Sequence, residues 1–199
     1  MKVRFILPAI AAIGLAGCVA PVGPVEITRF HVPDAQFGRG PIAVVAAPGE
    51  SPMSQSDTSL ELRAYQSAVA RELVRIGYAE GPAGSGQVAE VRLMRRTWQP
   101  ERNHGPVSVG VGAGGGSYGS GAGVGIGIDL SGRPPAQTET QLGVMIKDRP
   151  GGRTLWEGRA QFIVRADSPL AQTDLGAAKL AGALFRGFPG NSGETILVK

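Results

Sequence analysis

The sequence predicts an α+β domain: a mostly antiparallel sheet of about six or seven strands with two helices packed on one face. Three observations predict it. Apolar residues alternate with period two in several stretches, among them 88–98, 137–147 and 154–165. Between 59 and 76, and again after 168, they recur three or four apart, as one face of a helix does. Clusters rich in Gly, Pro and Ser separate these stretches. With two helices and at least six strands, stacking both helices on one side of the sheet is the economical way to cover a single core.

Taken in order, Glu26 to Val32 alternates, with Ile27, Thr28, Phe30 and Val32 as strand formers, and Pro33 ends it. Ile42 to Ala46 is a continuous apolar run, the pattern of a strand buried on both faces. A Ser/Pro/Gln-rich loop from Pro48 leads to Ser56 or Asp57, either of which suits the cap of a helix. Leu62, Tyr65, Val69, Leu73 and Ile76 form the apolar stripe of that helix, and Gly77 stops it. Gly81 to Gly86 reads as a flexible turn. Val88 to Trp98 then splits into Ala89, Val91 and Leu93 on a dry face and Glu90, Arg92, Met94 and Arg96 on a wet one.

The Gly-rich insert 105–132 alternates on both sides of a Gly/Ser centre. Val107, Val109 and Val111 form one arm and Val124, Ile126, Ile128 and Leu130 the other, so a hairpin is expected, most simply one that extends the sheet with arms near seven residues. Gln137 to Lys147 and Thr154 to Arg165 form a second hairpin about Arg149-Pro150-Gly151-Gly152. Ser168-Pro169 opens the second helix, which runs to the neighbourhood of Gly187, and Thr195 to Val198 supplies an edge strand.

The N-terminus carries an address. Lys2 and Arg4 precede a short apolar run from Phe5 to Ile13, which is too short to span a bilayer and has the grammar of an export signal. Leu15-Ala16-Gly17-Cys18 resembles the bacterial lipoprotein signal, which implies cleavage between Gly17 and Cys18 and acylation of Cys18. The expected organisation is a removed signal at 1–17, a lipidated tether at 18–25 containing Pro21 and Pro24, and a single periplasmic domain at 26–199. Val19 follows the cysteine where inner-membrane lipoproteins of this kind usually carry aspartate, so the resemblance implies the outer membrane more than the inner one.

Cys18 is the only cysteine, which leaves no internal disulfide and no Cys-based zinc site. Lys2 and Arg4 supply two of the four net positive charges, so the mature side chains carry about +2. That is no footprint for nucleic acid, although attraction to anionic headgroups or lipopolysaccharide stays open.

Several short motifs resemble a family of uncharacterised bacterial lipoproteins, the domain of unknown function 4136. They are the lipidated start, Glu72-Leu73-Val74-Arg75-Ile76-Gly77-Tyr78, the Gly-rich centre, Leu155-Trp156-Glu157-Gly158, and Leu184-Phe185-Arg186-Gly187-Phe188-Pro189. The resemblance implies a periplasmic lipoprotein with an α+β body and brings no catalytic residues with it.

The residues themselves name no reaction. Neither His31 nor His104 sits by a Gly-x-Ser-x-Gly elbow, and Glu139, Asp148, Glu157 and Asp167 read as outward charges rather than a glycosidase pair. Gly110-x-Gly112-x-x-Gly115 spells the dinucleotide fingerprint, but β pattern follows it where a helix is required. No ligand spacing for a metal occurs, and no cofactor is expected. Trp98 and Trp156 fit core positions better than a ligand groove. The expectation is a non-enzymatic accessory or binding component of the cell envelope, attached to the membrane by the lipid on Cys18, whose partner is an envelope protein or its own copies. A pore-like homo-oligomer built from the hairpin positions Val107, Val109, Val111, Val124, Ile126 and Ile128 is the alternative, and an envelope hydrolase a remote third.

Overall fold

The computed structural model describes residues 23–48, 57–82, 84, 86–101, 107–116, 119–128 and 134–199, with side chains described outside 57–59 and 107–128. Gly17, Cys18, most of the tether, the proposed cap at Ser56 or Asp57 and His104 lie outside these described residues or side chains.

Among the described residues, nine strands and two α-helices follow one another as β1 (Val25–His31), β2 (Pro41–Ala46), α1 (Asp57–Arg75), β3 (Ala79–Glu80), β4 (Gln87–Trp98), β5 (Val107–Gly116), β6 (Gly119–Ile128), β7 (Gln137–Lys147), β8 (Thr154–Arg165), α2 (Thr173–Leu184) and β9 (Thr195–Val198). Seven strands form one sheet in the order β3-β2-β4-β7-β8-β1-β9. Its pairs are antiparallel except that β2 runs parallel to both β3 and β4. Parallel pairing needs a crossover, and α1 supplies it between β2 and β4. The architecture is the α+β fold that the periodicity predicts.

Both helices press on one face. Tyr65, Val69 and Leu73 of α1 and Ala177, Leu180, Ala181 and Leu184 of α2 join Ala89, Val91, Leu142, Val144, Ile146, Ala160 and Phe162 of the sheet in one buried cluster. Alternation along β7 is strict: Leu142, Val144 and Ile146 point into the core, while Gln141, Met145 and Lys147 stay partly accessible.

Local chemistry fixes the ends of α1 and α2. At the end of α1, Gly77 (φ +111°) takes the left-handed position, its N–H bonds Val74 O, and the Tyr78 N–H reaches back to Leu73 O. A Cβ on Gly77 would lie 2.8 Å from Gly38 O, so glycine also permits the close approach of the β1–β2 loop. Ser168-Pro169 opens a 3-10 turn, Pro169–Ala171, with Ser168 Oγ accepting from Leu170 N–H. The α-helix proper begins only at Thr173 and ends at Leu184, short of Gly187, so the expected second helix is trimmed at both ends.

Other expectations need correction. Of the β2 run, Ile42 and Ala43 are buried but Val44 and Val45 only partly, because α1 covers one face and the two-residue β3 alone shields the outer edge. Arg29 faces the core side of β1 and is 5% exposed, whereas Phe30 points outward and is 53% exposed. Glu90, expected on the wet face, is 5% exposed beneath Lys147, whose Nζ lies 2.8 Å from both carboxylate oxygens. The Gly-rich hairpin exists but does not extend the main sheet. β5 and β6 form a two-stranded sheet of their own, with ten-residue arms instead of about seven.

Candidate functional site

The covered face of the sheet ends in an aromatic knot that accounts for two of the sequence motifs. Trp156 is fully buried and stacks on Phe185 at 5.5 Å between centroids, with Phe188 tilted against both rings at 5.2 and 5.7 Å. Its Nε1–H donates to Pro189 O at 3.0 Å. The indole lies over Gly158, where a Cβ would come within 2.2 Å of the ring. Leu155-Trp156-Glu157-Gly158 and the Phe185 to Pro189 turn are therefore two halves of one packing unit.

Arg29 closes that unit from β1. Its Nη2 donates to Ala183 O at 3.3 Å, which also accepts from the Arg186 N–H, and to Arg186 O at 2.8 Å just past the end of α2. Burial lowers its pKa below that of an ordinary arginine, and the charge of Glu194 opposes the shift. Gly190 (φ +81°) makes room for the guanidinium, since a Cβ there would lie 2.6 Å from Nη1. His31 sits at the same corner with Nε2 3.2 Å from Gly190 O, Nδ1 3.3 Å from Val32 O and its ring edge-on to Phe37. The histidine belongs to this packing: both ring nitrogens face backbone carbonyls, and among the described residues neither is bonded to a serine or a carboxylate.

The opposite face of the sheet has no helix on it among the described residues. Phe30, Met94, Ile163 and Leu197 are half or more exposed there, between charged neighbours. Pairing places Arg92 of β4, Gly143 of β7, Arg159 of β8 and Thr28 of β1 in one row across the strands. Glu90, Met145, Glu157 and Phe30 form the row on one side, and Met94, Gln141, Gln161 and Glu26 the row on the other. Over Gly143 this leaves a notch of about 120 Å³, walled by Arg92, Met94, Met145, Glu157 and Arg159. A second hollow of about 280 Å³ continues from Met94 and Gln141 toward Arg96 and Glu139. Gly143 has no positive φ, and an added Cβ would touch only Arg92 at ordinary contact distance, 3.8 Å to its Cβ. A mid-strand glycine without a packing reason marks a place where another chain or ligand can approach the backbone.

The four late carboxylates do not converge. Glu139 pairs with Arg96 at 2.9 Å, Glu157 with Arg159 at 3.4 Å, Asp167 with Arg165 at 2.7 Å, and Asp148 stands 3.9 Å from Arg149. Hydrogen bonding to Arg165 holds the Asp167 carboxyl below the usual aspartate range. Trp98 carries the Arg96 guanidinium over its ring at 5.3 Å, a cation–π contact at the end of β4. Among the described residues no three His, Cys, Asp or Glu groups gather as metal ligands, and no helix is long and apolar enough to cross a membrane.

In the hairpin, Val107 pairs with Ile128, Val109 with Ile126 and Val111 with Val124, while Gly110 meets Gly125 and Gly112 meets Gly123. Gly110, Gly112 and Gly115 of the apparent fingerprint all lie within β5, which another strand follows, so they open no helix.

An uncharacterised protein of Zymomonas mobilis is 31% identical to this chain, across 88% of the chain and 80% of the relative. The chain belongs to that protein's family. No family model matches it. Among solved structures, a PDZ domain protein from Parabacteroides distasonis covers 88% of the chain at 13% identity and a TM-score of 0.49, and the chain spans 39% of its length. A PelC dodecamer from Paraburkholderia phytofirmans covers 80% of the chain, and the match spans 92% of the PelC chain, at 12% identity and a TM-score of 0.42.

The signal that points to the open face was present in the sequence. Arg92 and Met94 sit at alternate positions of one long strand and Gly143 at an outward position of another, but only the register of β4, β7 and β8 brings Arg92, Gly143 and Arg159 into one row with Met94 in the next.

Proposed function

We propose that the chain is a non-enzymatic accessory lipoprotein on the periplasmic side of the cell envelope, anchored through Cys18 to the outer membrane more than the inner, and that it engages an envelope partner through the open face of its sheet. The observation that carries the binding role is that face itself: Phe30, Met94, Ile163 and Leu197 exposed on one surface, around a notch floored by Gly143. Scattered exposed apolar residues need no explanation, but several on one sheet face rimmed by charge have the makeup of an interaction surface. The anchor rests on Leu15-Ala16-Gly17-Cys18. Membership of the lipoprotein family with domain of unknown function 4136 is proposed on its short motifs, two of which, Leu155 to Gly158 and Leu184 to Pro189, pack together in the aromatic knot.

A photo-crosslinking residue placed at Met94, with one at exposed Leu175 of α2 as control, tests this reading in intact cells. One dominant adduct from Met94, absent from Leu175 and lost on Cys18→Ser, is expected. Equal labelling from both positions would remove the open face from the account.

The hairpin favours a second reading, self-assembly. Ten-residue strands reach about 33 Å, and the apolar Val and Ile positions share one face of the pair by register. That length matches the 9–11 residues of strands that cross a bilayer.

A further inference from the structure

The C-terminal halves of α1 and α2 enclose a groove of about 400 Å³ lined by Glu72, Arg75, Lys179, Gly182, Arg186 and Val198, among others. Three of these side chains are cationic and one is anionic. Glu72 is committed to Arg75, which bonds its Oε2 through Nε at 2.7 Å and Nη2 at 2.5 Å. The side chains of Lys179 and Arg186 have no hydrogen bond or ion pair among the described residues. They are not needed to neutralise the end of α2 either, because buried Arg29 already binds the Ala183 and Arg186 carbonyls. Lys179 and Gly182 lie three apart on α2, and Arg186 follows two residues past its end at Leu184; all three line the groove. An added Cβ on Gly182 would find only Glu72 Oε1, at 3.7 Å, so the glycine keeps the groove floor open without being required by packing.

The groove lies beside the start of the described body. Val198, one of its lining residues, is the register partner of Val25, the first residue of β1. Six residues lie between Cys18 and Val25, a reach of about 25 Å at full extension. A lipid on Cys18 would therefore keep the edge of the body that carries the groove within that reach of the bilayer.

We propose that this groove receives the phosphate of an anionic lipid headgroup in the membrane to which the chain is anchored. The proposal rests on the anchored reading for its membrane, while the recognition itself lies in Lys179 and Arg186.

The test uses full-length Cys18→Ser protein, which cannot be lipidated, floated with vesicles of phosphatidylglycerol in phosphatidylcholine or of phosphatidylcholine alone. The leader is common to all variants, so the groove is read from differences among them. Stronger flotation on the anionic vesicles is expected. The double variant Lys179→Gln/Arg186→Gln should weaken it by about 25-fold, since each basic side chain near an anionic surface contributes roughly fivefold. Gly182→Leu keeps every charge and fills the floor, and it should also weaken binding. Equal flotation on both vesicle types, an unaltered double variant, or a Gly182→Leu protein that floats like its parent would each overturn the proposal. So would calorimetric binding of inorganic phosphate without vesicle binding, which would make the groove a site for free phosphate. Incorporation of labelled palmitate into the unaltered chain in cells reads the anchor separately: its absence would sink the anchored reading and leave the vesicle result standing.

Discussion

Trp156 and Gly158 show how one missing side chain can decide a packing arrangement. The indole cannot swing away from an alanine at 158 without leaving its stack on Phe185 and its bond to Pro189 O, because it is fully enclosed. Gly158→Ala should therefore cost about 2–3 kcal/mol, as overpacked cores do, read as a lower urea midpoint and altered tryptophan fluorescence. Gly143→Ala is the contrast. Its Cβ would meet nothing closer than 3.8 Å, so the same substitution should leave stability unchanged or raise it. Tyr65 gives a residue-level pH dependence. Burial, reinforced by the charge of Glu61, pushes its pKa up to about 12, against opposing effects of Arg95 and a hydrogen bond with Thr140. Below the unfolded value near 10 both states hold the proton, and the contribution to stability is fully present. As pH rises through 10 toward 12 the unfolded chain releases its proton first, and that contribution is lost. Between pH 9 and 11 the wild type should lose about 1 kcal/mol more than Tyr65→Phe in urea unfolding, a difference that absorbance at 295 nm can assign to the phenol.

At the scale of elements, α2 owes its placement to contacts far away in sequence. Gly176 is required where the helix crosses Tyr65, since a Cβ would lie 2.9 Å from Leu170 O and 3.2 Å from the Tyr65 hydroxyl. Gly182, one helix face away, is not. Gly182→Ala should stabilise the protein by about 1 kcal/mol through helix propensity, while Gly176→Ala should destabilise it; thermal melts of the two variants side by side decide the matter. Arg95 of β4 links the same region by donating to Glu61 of α1 and to Ala171 O in the 3-10 turn, and Thr173 Oγ1 adds a bond to Glu61 at 3.3 Å. These ties explain which parts of the fold were legible. β7, β8 and β9 follow from alternation and flanking turns, and their bounds match the expected ones because the signal is local. β3 carries no periodic signal in two exposed residues, and its parallel partner lies some forty positions earlier. The burial of Arg29 and Glu90 depends on carbonyls at 183 and 186 and on Lys147, so no reading of their own neighbours in the chain contains it. The uncovered face follows the same rule: alternation marks which residues look outward, and the sheet order alone says that they look out together.

For the molecule as a whole, the question is whether the Gly-rich hairpin serves the fold or uses it as a platform. β5 and β6 share no ladder with the seven-stranded sheet. The strands that flank the insert already pair with each other up to Trp98 and Gln137, and just beyond them Gln99 Nε2 donates to Pro134 O at 3.2 Å. The insert thus leaves and re-enters at one point, and a short turn can bridge it. Loop closure becomes cheaper as the connection shortens, so replacing 102–133 with a tight turn should keep the melting temperature within about 3 °C of wild type. A large drop would mean that the body leans on the hairpin, and the platform reading would fail. With the body intact, the same variant separates the two functional readings. If the open sheet face carries the function, crosslinking from Met94 persists and the number of copies in the detergent-solubilised particle is unchanged. If self-assembly carries it, any oligomer of the wild type collapses to a monomer, because the paired Val and Ile positions of β5 and β6 are gone while Phe30, Met94, Ile163 and Leu197 remain in place.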